Sequence, residues 1–76
     1  MDVAKAFGVV LRSKRKKADI SQEKLAHIAA LDRSYVSLLE RGLRGPTINT
    51  LLIIASALNI DPIDFLKDVL AKMEEI

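Results

Sequence analysis

The segment from Ser21 to Gly42, SQEKLAHIAALDRSYVSLLERG, constrains the fold of this chain more than any other. It resolves into two short helices: Leu25, Ile28 and Ala29 mark one apolar face, and Val36 and Leu39, flanked by Leu38, mark a second. Only Ala30, Leu31 and Asp32 are left to connect them. A connection that short has the dimension of a helix-turn-helix, whose second helix can enter a DNA major groove. Ser21 stands where an N-cap is needed for the first helix, and Asp32 offers a carboxylate to the free N–H groups of the second. Ala26, with Ala29 or Ala30, lets two steeply crossing helices approach closely. Gly42 ends the second helix, because glycine accepts the left-handed backbone needed just past a helix C-terminus.

The remaining sequence supplies three more helices, so the expected fold is all-α, a single five-helix domain over residues 1–76. The first helix runs from about Asp2 to Lys17 with Val3, Phe7, Val10 and Leu11 as its stripe, and stops near Asp19, a residue that tolerates left-handed backbone. Thr47 caps the fourth, whose Leu51, Leu52, Ile53, Ile54, Ala55 and Leu58 cover most of its circumference and predict a place at the centre of the core. Asp61 caps the fifth, with Pro62 at its first position, and that helix extends to about Glu75. Three Phe or Tyr residues and no Trp imply an aliphatic helical core. A chain this short buries only about 60% of its unfolded surface, which leaves the core marginal unless a partner extends it.

Charge is distributed unevenly. Residues 1–60 carry ten Lys or Arg against five Asp or Glu, whereas residues 61–76 carry two against five. The basic part is the candidate polyanion-binding part, and Lys16 and Lys17, in the run Arg12-Ser13-Lys14-Arg15-Lys16-Lys17, are candidate phosphate contacts. The same run also fits the solvated face of a helix. Helix five has two apolar stripes: Ile63, Leu66 and Leu70 are expected to pack on the domain, and Phe65, Val69, Met73 and Ile76 to form a surplus face. A two-fold homodimer through 61–76 would bury that surplus and supply a second DNA half-site. Wrapping of both faces by the domain itself is the alternative.

These residues together resemble the Cro/cI-type, XRE-like helix-turn-helix regulators typified by phage repressors, from Phe7 to about Ile60. The chain is similar within that group to the controller proteins of restriction–modification systems, through LDRSYVS at 31–37, ERGLR at 40–44 and Thr47-Ile48. The resemblance implies a compact, phage-repressor-like DNA-binding domain that binds a two-fold double-stranded DNA operator and regulates transcription, with RNA polymerase as a candidate further partner. It implies base reading by Arg33, Ser34, Tyr35 and Ser37, with Arg33 suited to bidentate recognition of guanine and Tyr35 to a base, a thymine methyl or a phosphate. It assigns Gln22 to a phosphate and to bracing the recognition helix, and Arg15 with Glu40 to an internal ion pair. Arg44 and Thr47 are further phosphate candidates, a loop arginine and a helix N-terminus both matching an anion. Ala30 departs from the glycine common in the turn, and Asp19 from the glycine that often ends the first helix.

Other functions find less support. No cysteine is present and His27 is the single histidine, so neither a thiolate nor a histidine-pair metal site is expected. No nucleotide-binding glycine pattern occurs. No enzymatic activity, cofactor or small-molecule substrate is expected. The longest apolar run, Leu51 to Ala55, is too short for a bilayer, which predicts a cytoplasmic protein with no membrane partner. The competing reading is a protein-interaction adaptor, or an antitoxin that uses the same fold.

Overall fold

The computed structural model describes residues 1–75 as five helices in the order α1 (Val3–Lys17), α2 (Gln22–Ala29), α3 (Arg33–Glu40), α4 (Ile48–Ala57) and α5 (Pro62–Met73). The architecture is all-α, as the sequence predicts. Side-chain caps start four of the helices: Asp2, Ser21, Thr47 and Asp61 accept from the amides of Lys5, Lys24, Thr50 and Ile63. Asp32 differs from expectation. It begins α3 in extended backbone without a side-chain bond, and its carbonyl accepts the amides of Tyr35 and Val36, each at 3.1 Å.

The first four helices end alike, each on a residue with left-handed φ: Asp19 at 58°, Ala30 at 55°, Gly42 at 72° and Asn59 at 56°. At each end two amides fold back onto carbonyls of the last turn. In α2 these are Ala30 to His27 at 3.3 Å and Leu31 to Ala26 at 2.9 Å; in α4, Asn59 to Ser56 at 3.1 Å and Ile60 to Ala55 at 2.9 Å. This closure satisfies carbonyls the helix leaves unpaired and, after α1, α2 and α4, turns the next apolar residue back toward the core, whereas Leu43 after α3 stays 58% exposed. Ile20, Leu31 and Ile60 pack there accordingly.

Helix α1 lies against α3 and α5, and α2 packs on α3 and α4. Close approach of α1 to the end of α3 depends on Gly8. A Cβ there would stand 2.5 Å from the Leu39 carbonyl oxygen and 2.7 Å from that of Glu40. The core collects Phe7, Leu11, Leu25, Val36, Leu39, Ile54 and Phe65, with Phe7 and Phe65 stacked at 5.3 Å between centroids.

Four packing expectations are corrected. The stripes of α5 are exchanged: Phe65 is 0% exposed and Val69 3%, and Met73 packs partly buried on the core, whereas Ile63, Leu66 and Leu70 are 60%, 41% and 52% exposed. Phe65 and Val69 therefore belong to the domain core and not to a partner face. Periodicity identifies two stripes, but the choice between them follows from how the turn at Asn59 and Ile60 aims α5 at Phe7. Ile76 lies outside the described residues. Helix α4 is not central either, since it buries Ile54, Ala55 and Leu58 but leaves Ile48 and Leu52 exposed. Of the stripe expected in α1, Val3 is exposed, as is Ile28 of α2. No single helix among the described residues is long and apolar enough to cross a membrane.

Candidate nucleic-acid interface

The outward side of the helix-turn-helix is assembled from three chain segments. Arg33 and Ser34 open α3 exposed, while Tyr35 and Ser37 are half-buried. Arg33 shares a shallow polar notch with Ser21, Gln22, Glu23 and Arg15, so the start of α3 lies beside the N-terminus of α2. The three-residue turn produces this proximity: it holds the two helices at a fixed crossing with Leu25, Ala26, Val36 and Leu39 buried between them and the rest of the core.

Behind this surface is a polar anchor. Arg15 donates from Nε to Glu40 Oε2 at 2.6 Å, from Nη2 to Glu40 Oε1 at 3.1 Å, and from Nη1 to the Ile20 carbonyl at 2.8 Å. Glu40 raises the Arg15 pKa above its ordinary value, chiefly by hydrogen bonding, against the opposing effect of burial. Gln22 donates from Nε2 to Glu40 Oε1 at 3.1 Å. Its carboxamide thus braces the end of α3, and it retains a second N–H for an external acceptor. The ion pair expected between Arg15 and Glu40 is present, and both charges are withdrawn from the outward surface.

On the far side, Arg44 leaves the loop after α3 with its guanidinium carbon 5.9 Å from the centroid of the Tyr35 ring. Thr47 caps α4, and its hydroxyl also donates to Thr50 Oγ1 at 3.0 Å. Tyr35 Oη lies 3.4 Å from the same Thr50 oxygen. Loop, recognition helix and α4 are therefore coupled at Tyr35. The sequence reading missed Thr50; its signal is a lone hydroxyl at the mouth of an otherwise apolar run, three residues after the cap.

The basic run of α1 divides between surfaces. Arg15 points inward to Glu40, and Lys16 is exposed. Lys14 pairs with Asp68 at 2.5 Å and sits 5.7 Å from the Phe65 ring, holding α5 onto α1. Lys17 lines the groove with Lys14, Asp68, Lys72 and Glu75. That groove belongs to the α1–α5 contact, so Lys17 is not brought together with Gln22, Arg33 and Arg44. Lys14 depresses the Asp68 pKa, first by hydrogen bonding and then by its charge, with a smaller contribution from Lys17. His27 is exposed on α2, and no cluster of potential metal ligands occurs among the described residues.

This geometry has counterparts among known proteins. A family model described as helix-turn-helix matches residues 11–65. The control protein C.SmaI of Serratia marcescens is 42% identical over 59 residues, covering 78% of this chain and 70% of that protein. The crystal structure of the restriction–modification controller protein C.AhdI from Aeromonas hydrophila superimposes with a TM-score of 0.79 at 42% identity, over 82% of this chain and 94% of that one. The controller protein C.Esp1396I, solved as a tetramer on its natural 35 base-pair operator, gives a TM-score of 0.88 at 27% identity over 99% of both chains.

Proposed function

The chain belongs to the helix-turn-helix family, and from that premise we propose that it is a sequence-specific transcriptional regulator that binds a two-fold DNA operator as a homodimer and controls restriction–modification genes. The observation that carries this reading is the exposed start of α3, where Arg33 lines a notch with Gln22 and the Arg44 guanidinium lies over the ring of Tyr35, two residues further along the helix. Arg33, Ser34, Tyr35 and Ser37 read base edges, with Arg33 on a guanine. Gln22, Arg44, Thr47 and Lys16 hold the backbone, so they position the protein and carry no sequence information directly. The likeness to C.SmaI and C.AhdI supports the controller assignment, and the operator complex of C.Esp1396I supports the DNA partner.

The exposed stripe Ile63, Leu66 and Leu70 supplies the dimer contact, with the α5 segment serving as the dimerisation helix of a single domain. The protein acts in the cytoplasm and carries no catalytic activity. Affinity of the purified chain for duplex DNA, measured against salt concentration without any partner protein, tests the reading. Several phosphate contacts per dimer predict a log–log slope on the order of −4 to −7. A slope near zero, or no binding, would contradict it.

A further inference from the structure

We infer that Thr50, a buried residue of α4, is a positioning residue for DNA recognition that orients the Tyr35 hydroxyl as an outward hydrogen-bond donor. This rests on the DNA-binding reading above and goes beyond it by fixing what Tyr35 recognises.

The Thr50 amide donates to Thr47 Oγ1 at 3.0 Å, and the Thr47 hydroxyl donates to Thr50 Oγ1 at 3.0 Å. Thr50 is only 7% exposed, and no buried side-chain polar atom among the described residues lacks a partner. The Thr50 hydroxyl oxygen already accepts from Thr47, and Tyr35 Oη lies 3.4 Å away, a contact in which either oxygen can donate. Donation by Thr50 to Tyr35 Oη gives the buried Thr50 proton a partner and leaves the phenolic proton of Tyr35 free to point outward. In that arrangement the hydroxyls run in one direction, from the α4 amide to the molecular surface. At 3.4 Å the last link is long for an O–H···O bond, so it steers the ring without locking it. The Arg44 guanidinium lies over that ring, 5.9 Å from its centroid, so the setting of Tyr35 also bears on the arginine. The group recognised by Tyr35 is an acceptor without a proton of its own: a phosphate oxygen, or an acceptor atom on a base edge.

The test uses the full chain and a duplex that the wild type itself enriches from a randomised pool. Thr50→Val should weaken binding about three- to tenfold per half-site, the range of one hydrogen bond. The amide of residue 50 still caps on Thr47, so the helix should persist by circular dichroism; Thr50→Ala serves the same comparison with no added bulk. Thr50→Ser should restore wild-type affinity. In a Tyr35→Phe background, Thr50→Val should have no further effect. Tyr35 is the chain's one tyrosine and there is no tryptophan, so tyrosine emission of the free protein should also change in Thr50→Val and return in Thr50→Ser. Removing DNA acceptors one position at a time, by methylphosphonate linkages or base analogues, should abolish the Tyr35→Phe effect at one position and so locate the acceptor on backbone or base. Wild-type affinity in Thr50→Val, no rescue by serine, or an undiminished effect without the Tyr35 hydroxyl each overturns the inference while DNA binding stands. Failure of the wild type to enrich any duplex overturns the DNA reading, and this inference with it.

Discussion

Arg15 of α1 and Glu40 at the end of α3 meet in a two-bond ion pair whose side chains are only 11% and 3% exposed. The pair ties the first helix to the recognition helix at the point where Gln22 also bonds to Glu40, so one carboxylate sets the position of three helices. Burial makes such a pair weak evidence for net stabilisation, but removing one partner leaves the other charge stranded.

Glu40→Ala should therefore destabilise the fold by about 3–5 kcal/mol in urea unfolding. Arg15→Met combined with Glu40→Leu should lose less than the two single changes added together, because neither charge is then left alone. Strict additivity, or a loss below about 1 kcal/mol for Glu40→Ala, would mean that the pair is not an anchor.

The turn of the motif carries a strain that can be relieved. Ala30 holds φ at 55°, where a Cβ crowds the backbone, and it is exposed, so no packing depends on its methyl group. Ala30→Gly should raise stability by about 0.5–1 kcal/mol, a few degrees in melting temperature for a domain of this size. DNA affinity should be unchanged. A lower melting temperature would show that the gain of freedom in the unfolded chain outweighs the relief of strain.

The motif was legible from Ser21 to Gly42 because the Ser21 cap, the spacing and a three-residue connection point to one geometry, and the structure follows it to the left-handed turn at Ala30 although the carboxylate cap expected of Asp32 is not made. Two features of the wider fold were not legible. The stripes of α5 have similar apolar content, and their order depends on the stacking of Phe65 on Phe7, a contact across the chain. The Gly8 requirement is likewise tertiary: within α1 a glycine is only a weak helix former, and its use appears when the carbonyls of Leu39 and Glu40 are brought against it. At the candidate site, Arg33 and Arg44 could be selected by charge and position. Thr50 could not, because its part depends on where the Tyr35 ring comes to rest.

The corrected helix five gives a paired expectation. Leu70→Lys places a charge on the exposed stripe, where a symmetric contact would set it near its own mate, so the chain should remain folded but sediment as a monomer. Loss of linkage between half-sites should reduce operator affinity roughly 10²–10⁴-fold. Val69→Lys instead buries an unpaired charge beside Phe65 and should unfold the domain. An unchanged dimer in Leu70→Lys would place the partner surface elsewhere.

Sequence reading by the exposed start of α3 is tested most directly by comparing the DNA enriched by the wild type with that enriched by Arg33→Ala from the same randomised pool. The wild type should yield a two-fold site with half-site centres separated by about one or more helical turns. Arg33→Ala should keep that symmetry, bind the wild-type site about 1–3 kcal/mol more weakly, and relax preference at one base pair in each half. An enriched site without two-fold symmetry, or identical preferences for the two proteins, would contradict the account.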